Sequence, residues 1–254
     1  MSVRKDMAAE AARVVRRLSA LDEGTMRARA AGRRLARMAP DRAALLLAAL
    51  LEKGAAAAAA VAAVGQALSD PEGGLAYEWR AELYAAALAL DLPEVAALLL
   101  SPGPRRAFEE PRDKADPRLA HLSLGHKKAL ARARRDPDLI ARLAAEGEPA
   151  VVRELLRNPL LTEALAVRIA ARRPIRPETL RCLYQERRWR NRRAVRLALA
   201  RNPFVETEIA LLILPTLAAR ELGEIAEDGS LHAAVRSLAA RLAAERPPRD
   251  DGRP

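Results

Sequence analysis

Two nine-residue stretches decide the reading of this chain: Val151-Val152-Arg153-Glu154-Leu155-Leu156-Arg157-Asn158-Pro159 and Val195-Arg196-Leu197-Ala198-Leu199-Ala200-Arg201-Asn202-Pro203. In both, apolar residues stand seven and three places before an Asn-Pro pair, and an Arg immediately precedes it. A third copy surrounds Asp136-Pro137, with Ala129, Ala133 and Arg135 in the same places. After each pair an aliphatic follows at three places (Leu139, Leu161, Val205), another at seven (Leu143, Leu165, Ile209), and Ala at eight (Ala144, Ala166, Ala210). The pairs begin at 136, 158 and 202, so the offsets are 22 and then 44 residues, with one diverged unit between. Periods of this size mark stacked helical arrays.

The Asx-Pro pair has a local physical meaning. A residue before Pro is pushed out of the right-handed helical region, so a preceding helix must end there. The Asx side chain can accept from the free amides of the next turn, and Pro suits a first helical position because it lacks the donor that would be orphaned. Each copy therefore predicts helix, corner, helix. The apolar places give each short helix one face to bury, which neither helix can bury alone.

With these residues the chain resembles the helical repeat families called HEAT-like and leucine-rich repeat variant, whose units carry a Val-Arg-x-x-Leu-x-x-Asn-Pro kind of core. The likeness covers roughly residues 127 to 214, within the C-terminal half. Between Arg173 and Arg193 the diverged unit keeps a helix start at Pro177 and apolar Leu180, Leu183 and Tyr184. A half match from Ile225 to Leu242, with Asp228-Gly229 at the corner, Leu231 and Val235 after it and Glu221 at the seventh place before, reads as a cap. The resemblance implies an all-α fold, a right-handed α-solenoid of short helix pairs, and a role as a scaffold for proteins or nucleic acids. One member of the variant family holds an iron–sulfur cluster through cysteines ahead of its repeats. Cys182 is the only cysteine here and cannot supply that set.

Composition agrees with packed helices. Half of the 254 residues are hydrophobic and only 3% are aromatic, so Ala and Leu must form the interior and no β-sheet is expected. The apolar stretches Ala43 to Leu51 and Ala55 to Gly65 are split by Glu52 and Lys53, and each falls short of the ~20 residues a bilayer span needs. The N-terminus lacks the apolar run of a secretory signal, and a lone Cys suits a reducing compartment, so a cytoplasmic location is expected.

Helices are predicted at Glu10 to Leu21, Thr25 to Met38, Asp41 to Lys53, Ala55 to Leu68, Leu75 to Leu90 and Pro93 to Leu100, punctuated by Gly54, Pro71, Gly73-Gly74 and Asp91-Leu92-Pro93. Residues 101–117, with Pro102, Pro104, Pro111 and Pro117 among charges, read as a linker or long loop. This gives a helical N-terminal region at 1–100, a repeat block at 118–245, and a tail at 246–254 expected to be disordered.

Charge is uneven. Residues 118–201 carry 21 Lys and Arg against 8 Asp and Glu, a net of +13, whereas residues 1–117 carry +1 and residues 202–254 carry −3. Arg135, Arg157 and Arg201, at one repeat position, are expected to align as a ridge that attracts phosphate or acidic surfaces. Arg187, Arg188, Trp189, Arg190, Arg192 and Arg193 add five cations around one indole, able to clamp phosphates and stack on a base. Two other roles stay open: Arg before a helix stop suits the helix C-terminus, and Trp189 suits an inter-helix groove as well as a ligand.

Catalytic signals are sparse. His121 and His126 stand five apart without a third metal ligand, no glycine-rich phosphate loop appears, and Ser123 reads as a helix N-cap before His126. Neither a metal nor a cofactor is expected. Glu186 near Trp189 is similar only in kind to the acid and aromatic groups of HEAT-like DNA glycosylases. The sequence thus favours a non-enzymatic scaffold for a protein partner of acidic character, with nucleic acid as the alternative and the oligomeric state open.

Overall fold

Leu and Ala spaced three and four apart bury one stripe on each helix, and the computed structural model is helical accordingly, with no strand among the described residues. These are residues 2–69, 75–100, 102–110, 116–133 and 135–245. Pro71, Gly73-Gly74, Pro111 and the tail read above as disordered lie outside them.

The helices are α1 (Ser2–Ser19), α2 (Gly24–Leu35), α3 (Pro40–Glu52), α4 (Ala58–Ser69), α5 (Tyr77–Ala89) and α6 (Pro93–Leu99). They continue as α7 (Leu124–Ala133), α8 (Pro137–Glu146), α9 (Pro149–Leu155), α10 (Glu163–Ala171) and α11 (Pro177–Gln185). The series ends with α12 (Arg187–Arg190), α13 (Arg193–Ala200), α14 (Thr207–Ile213), α15 (Ala219–Glu227) and α16 (Ala233–Ala244). The first helix starts earlier than its periodicity predicted, because the buried stripe Met7, Ala11, Val14, Leu18 begins before Glu10.

Two compact units form, one of residues 1–102 with 210–254 and one of residues 103–209, and α14 spans the division. In the first unit α3 packs against α1, α5 and α6, and α2 packs against α4. Leu46, Leu47, Leu50 and Leu51 of α3 are all buried, each contributing about 1.5–3 kcal/mol of apolar transfer. Gly65 of α4 lies where a Cβ would meet Leu212 Cδ1 at 2.7 Å, so a larger residue there would require the Leu212 side chain to move. Helices α15 and α16, placed by sequence at the end of the repeat block, pack here: α16 lies on α6, and Arg241 Nη1 stands 2.7 Å from the buried Glu94 carboxylate.

In the second unit α9 packs against both α7 and α11, and α10 against both α8 and α13. Two ranks of helices follow, α7–α9–α11 and α8–α10–α13. The segment 103–110, read as linker, is bound to this unit: Arg106 N–H donates to Pro203 O at 3.0 Å and Thr207 Oγ1 to Gly103 O at 2.7 Å. Arg176 holds Glu110 at 2.6 Å and lies 5.3 Å from the Phe108 ring centroid.

Candidate functional site

The three Asx-Pro corners are built in two ways. Asp136 is the N-cap of α8; its Oδ1 accepts from Asp138 N at 3.0 Å and Leu139 N at 3.4 Å, and Pro137 opens the helix as predicted. Asn158 and Asn202 are not caps of the following helix. Thr162 caps α10, and α14 starts only at Thr207, so Pro159 and Pro203 lie in the corner rather than at a first helical position.

What the two buried Asn do instead depends on the neighbouring helix. Asn158 Nδ2 donates 2.8 Å to Ala131 O in α7, and Asn202 Nδ2 donates to Ala170 O at 2.7 Å and Arg172 O at 2.9 Å at the end of α10. Their Oδ1 atoms close a local turn, accepting from Leu160 N and Phe204 N. Each Asn thus satisfies a C-terminal carbonyl of the preceding helix in its own rank, where such groups are otherwise orphaned. An Asp could close the turn but could not donate.

The apolar places follow the same logic. Val151, Leu155, Val195 and Leu199 are fully buried, but Ala129 and Ala133 are exposed, because α7 heads its rank and no helix precedes it among the described residues of the unit.

Of the expected ridge, Arg135 and Arg157 are exposed and follow the adjacent first-rank helices α7 and α9, with Arg157 Nε 3.8 Å from Glu186. Arg201 is half-buried and follows α13, a helix of the second rank. The single row of three is therefore two and one. The cause is the diverged unit, which holds α11 and the short extra helix α12, so that the first helix of the next copy, α13, packs on α10 in the other rank.

The segment Arg187 to Arg193 divides by role. Trp189 is 2% exposed and its Nε1 donates to Leu156 O at 2.8 Å, so the indole is core and not a free stacking face. Arg188 lies 4.4 Å from that ring centroid and donates to Asn158 O and Leu161 O, both at 3.2 Å, sealing the corner carbonyls. Arg192 faces Glu163 at 3.8 Å. Arg187 and Arg193 are exposed, and Arg190 is half-buried. Glu186 and Trp189 consequently do not form the open acid-and-aromatic pair of a base pocket.

Much of the unit's acid is already engaged. Glu154 takes Arg132 at 3.1 Å, Asp116 takes Arg142 at 3.0 Å, and Glu206 takes Arg181; the Arg132 side chain holds the Glu154 carboxyl below its usual range, and the Arg118 backbone N–H, then Arg142, hold that of Asp116. Half-buried Glu208 is pushed up by desolvation and by Glu206 beside it.

Ser123 caps α7 as predicted, its Oγ accepting from His126 N at 3.3 Å, and His232 Nδ1 accepts from Ala234 N at the start of α16. Among the described residues no group of three or more His, Cys, Asp and Glu could hold a metal ion, and no described helix is long and apolar enough to cross a membrane. The chain matches no protein-family model, no curated protein and no solved structure. The Asn-to-carbonyl bonds escaped the sequence reading, although the choice of Asn over Asp at two of the three corners carries that signal.

Proposed function

We propose that this protein is a non-enzymatic cytoplasmic scaffold of the HEAT-like, leucine-rich-repeat-variant kind, whose helices in residues 103–209 stack as a solenoid and present a basic face to an acidic protein partner. The observation that carries the reading is the pair of Asn side chains, each tying a helix end to the preceding helix of its rank, which is how a stacked array propagates. Charge supports the partner's sign. Residues 103–209 hold 25 Lys and Arg against 14 Asp and Glu, the whole net charge of +11, and the rest of the chain balances at 19 against 19. Arg135 and Arg187 are exposed and without an ion-pair partner among the described residues.

Nucleic acid is the second reading, favoured by the density of Arg from 187 to 193. Burial of Trp189 and the use of Arg188 on carbonyls weigh against it. The test is fluorescence anisotropy of the full chain with labelled poly-glutamate and with single- and double-stranded DNA and RNA across a salt series. Scaffold function requires an acidic-polypeptide complex that survives moderate salt and weakens in an Arg135→Gln, Arg187→Gln variant. Nucleic-acid affinity that is tight at low salt and falls by about 10³ or more between ~50 and ~200 mM would replace this reading with the second.

A further inference from the structure

The first unit holds a cleft of about 710 Å³ between α1, α2 and the start of α3. Five arginines line it, Arg17, Arg33, Arg34, Arg37 and Arg42, and Glu10 is the one acidic residue in its lining among the described residues. Glu10 is itself buried, and both its oxygens are used: Oε1 accepts from Arg34 at 2.6 Å and Oε2 from Arg42 at 2.7 Å. Those bonds hold its carboxyl below the usual range, so it stays ionised. No carboxylate is left for Arg17, Arg33 and Arg37, which have no ion-pair partner among the described residues and are exposed. Arg34 Nε is buried and donates to nothing.

Dipole stabilisation at the ends of α1 and α2 accounts for one or two of these cations. Five converging on one concavity repel one another, and a concave wall concentrates their field. The floor has a different chemistry. Val14, Leu18, Leu21 and Met38 line it, and no aromatic ring does. Guanidinium forks match phosphate oxygens, aliphatic side chains match an alkyl chain, and the volume lies in the range of small-ligand pockets.

We propose that this cleft binds an anionic amphiphile, a phosphomonoester carried on an aliphatic chain, with Arg33, Arg37 and Arg34 Nε on the phosphate and Leu18 and Met38 against the chain. The site lies apart from the basic repeat residues, so it stands or falls independently of the scaffold reading.

Isothermal titration calorimetry of the full chain at fixed ionic strength tests it, with monomeric n-octyl phosphate, inorganic phosphate, and phosphatidylcholine vesicles with and without phosphatidic acid. The expected result is saturable one-to-one binding of octyl phosphate, with inorganic phosphate weaker by about tenfold or more for want of buried methylenes. The double variant Arg33→Gln, Arg37→Gln should lose about tenfold or more in octyl phosphate affinity at an unchanged melting temperature, since neither side chain has a partner to lose. Ala30→Leu, which fills the half-buried wall of the cleft, should weaken octyl phosphate binding and spare the weak inorganic phosphate binding. Vesicle binding that needs phosphatidic acid and is lost in the double variant assigns the phosphate to a lipid headgroup; octyl phosphate binding without vesicle binding assigns it to a free metabolite. The proposal is overturned if octyl phosphate does not bind saturably, if inorganic phosphate binds as tightly, or if the double variant binds unchanged.

Discussion

The unit of residues 103–209 and the unit of residues 1–102 with 210–254 solve one problem by different means. Both bury Leu and Ala on short helices, but the unit of residues 103–209 closes its helix ends with long-range polar side chains. Asn158, Asn202, Thr179, Trp189 and Arg188 all donate to backbone carbonyls 27 to 33 residues away. The unit of residues 1–102 with 210–254 has a Leu core around α3 and uses buried carboxylates, Glu10 with Arg34 and Arg42, and Glu94 with Arg241. The lesson concerns helix length. Helices of seven to nine residues, such as α9, α10 and α11, leave most of their terminal carbonyls unpaired, so side chains must satisfy them. The 12- and 13-residue helices of the other unit have proportionally fewer ends and invest in apolar area.

The contrast makes graded predictions. Leu155→Ala and Leu50→Ala, one fully buried side chain in each unit, should each cost about 2–5 kcal/mol in urea unfolding; a cost below ~0.5 kcal/mol for either would remove that helix face from the core. Asn202→Ala leaves one buried and one part-buried carbonyl without this donor and should cost about 2–3 kcal/mol, against ~1 kcal/mol for Asp136→Ala, which loses only an exposed cap. Equal losses would erase the distinction between the two kinds of corner. Trp189→Phe keeps one aromatic ring but removes the rest of the buried indole and the bond to Leu156 O, and should cost at least about 1 kcal/mol.

Acid separates the units by sign. Glu10 titrates below its ordinary 4.5, so its stabilisation is present above that pH and is lost as pH falls through the lowered value. Glu208 titrates above 4.5, so its penalty is absent below that pH and grows as pH rises through the raised value. Melting temperatures should show Glu10→Gln less stable than the natural protein at pH 7 and Glu208→Gln more stable, with both differences shrinking toward acid. The smallest effect belongs to Asp91, which holds a left-handed φ of 52° after α5; Asp91→Gly should gain about 0.5 kcal/mol by relieving that conformation.

The helices were legible because periodicity and Pro punctuation are local. Pro137, Pro149 and Pro177 each open a helix, and Gly147, in the left-handed region at φ 71°, ends α8. Asn158-Pro159 and Asn202-Pro203 misled in one respect, since the same dipeptide that caps a helix can bridge to another, and only the position of α7 or α10 decides which. The Arg ridge was drawn on the assumption that a 44-residue offset is two ordinary units. The extra turn of helix at Arg187–Arg190 breaks that assumption, and no local rule announces it.

By itself the sequence determined an all-helical chain, where most of its helices start and stop, which residues of 127–214 repeat, and where the positive charge lies, because each depends on residues within a turn or two of one another. Only the tertiary structure decided that Trp189 is core, that Arg188 seals a corner, that 210–245 packs in the unit of 1–102, and that five arginines share one cleft with a single spent carboxylate. Those outcomes depend on which surfaces meet after the chain has turned back on itself, and burial and partner choice are properties of that meeting rather than of any one segment.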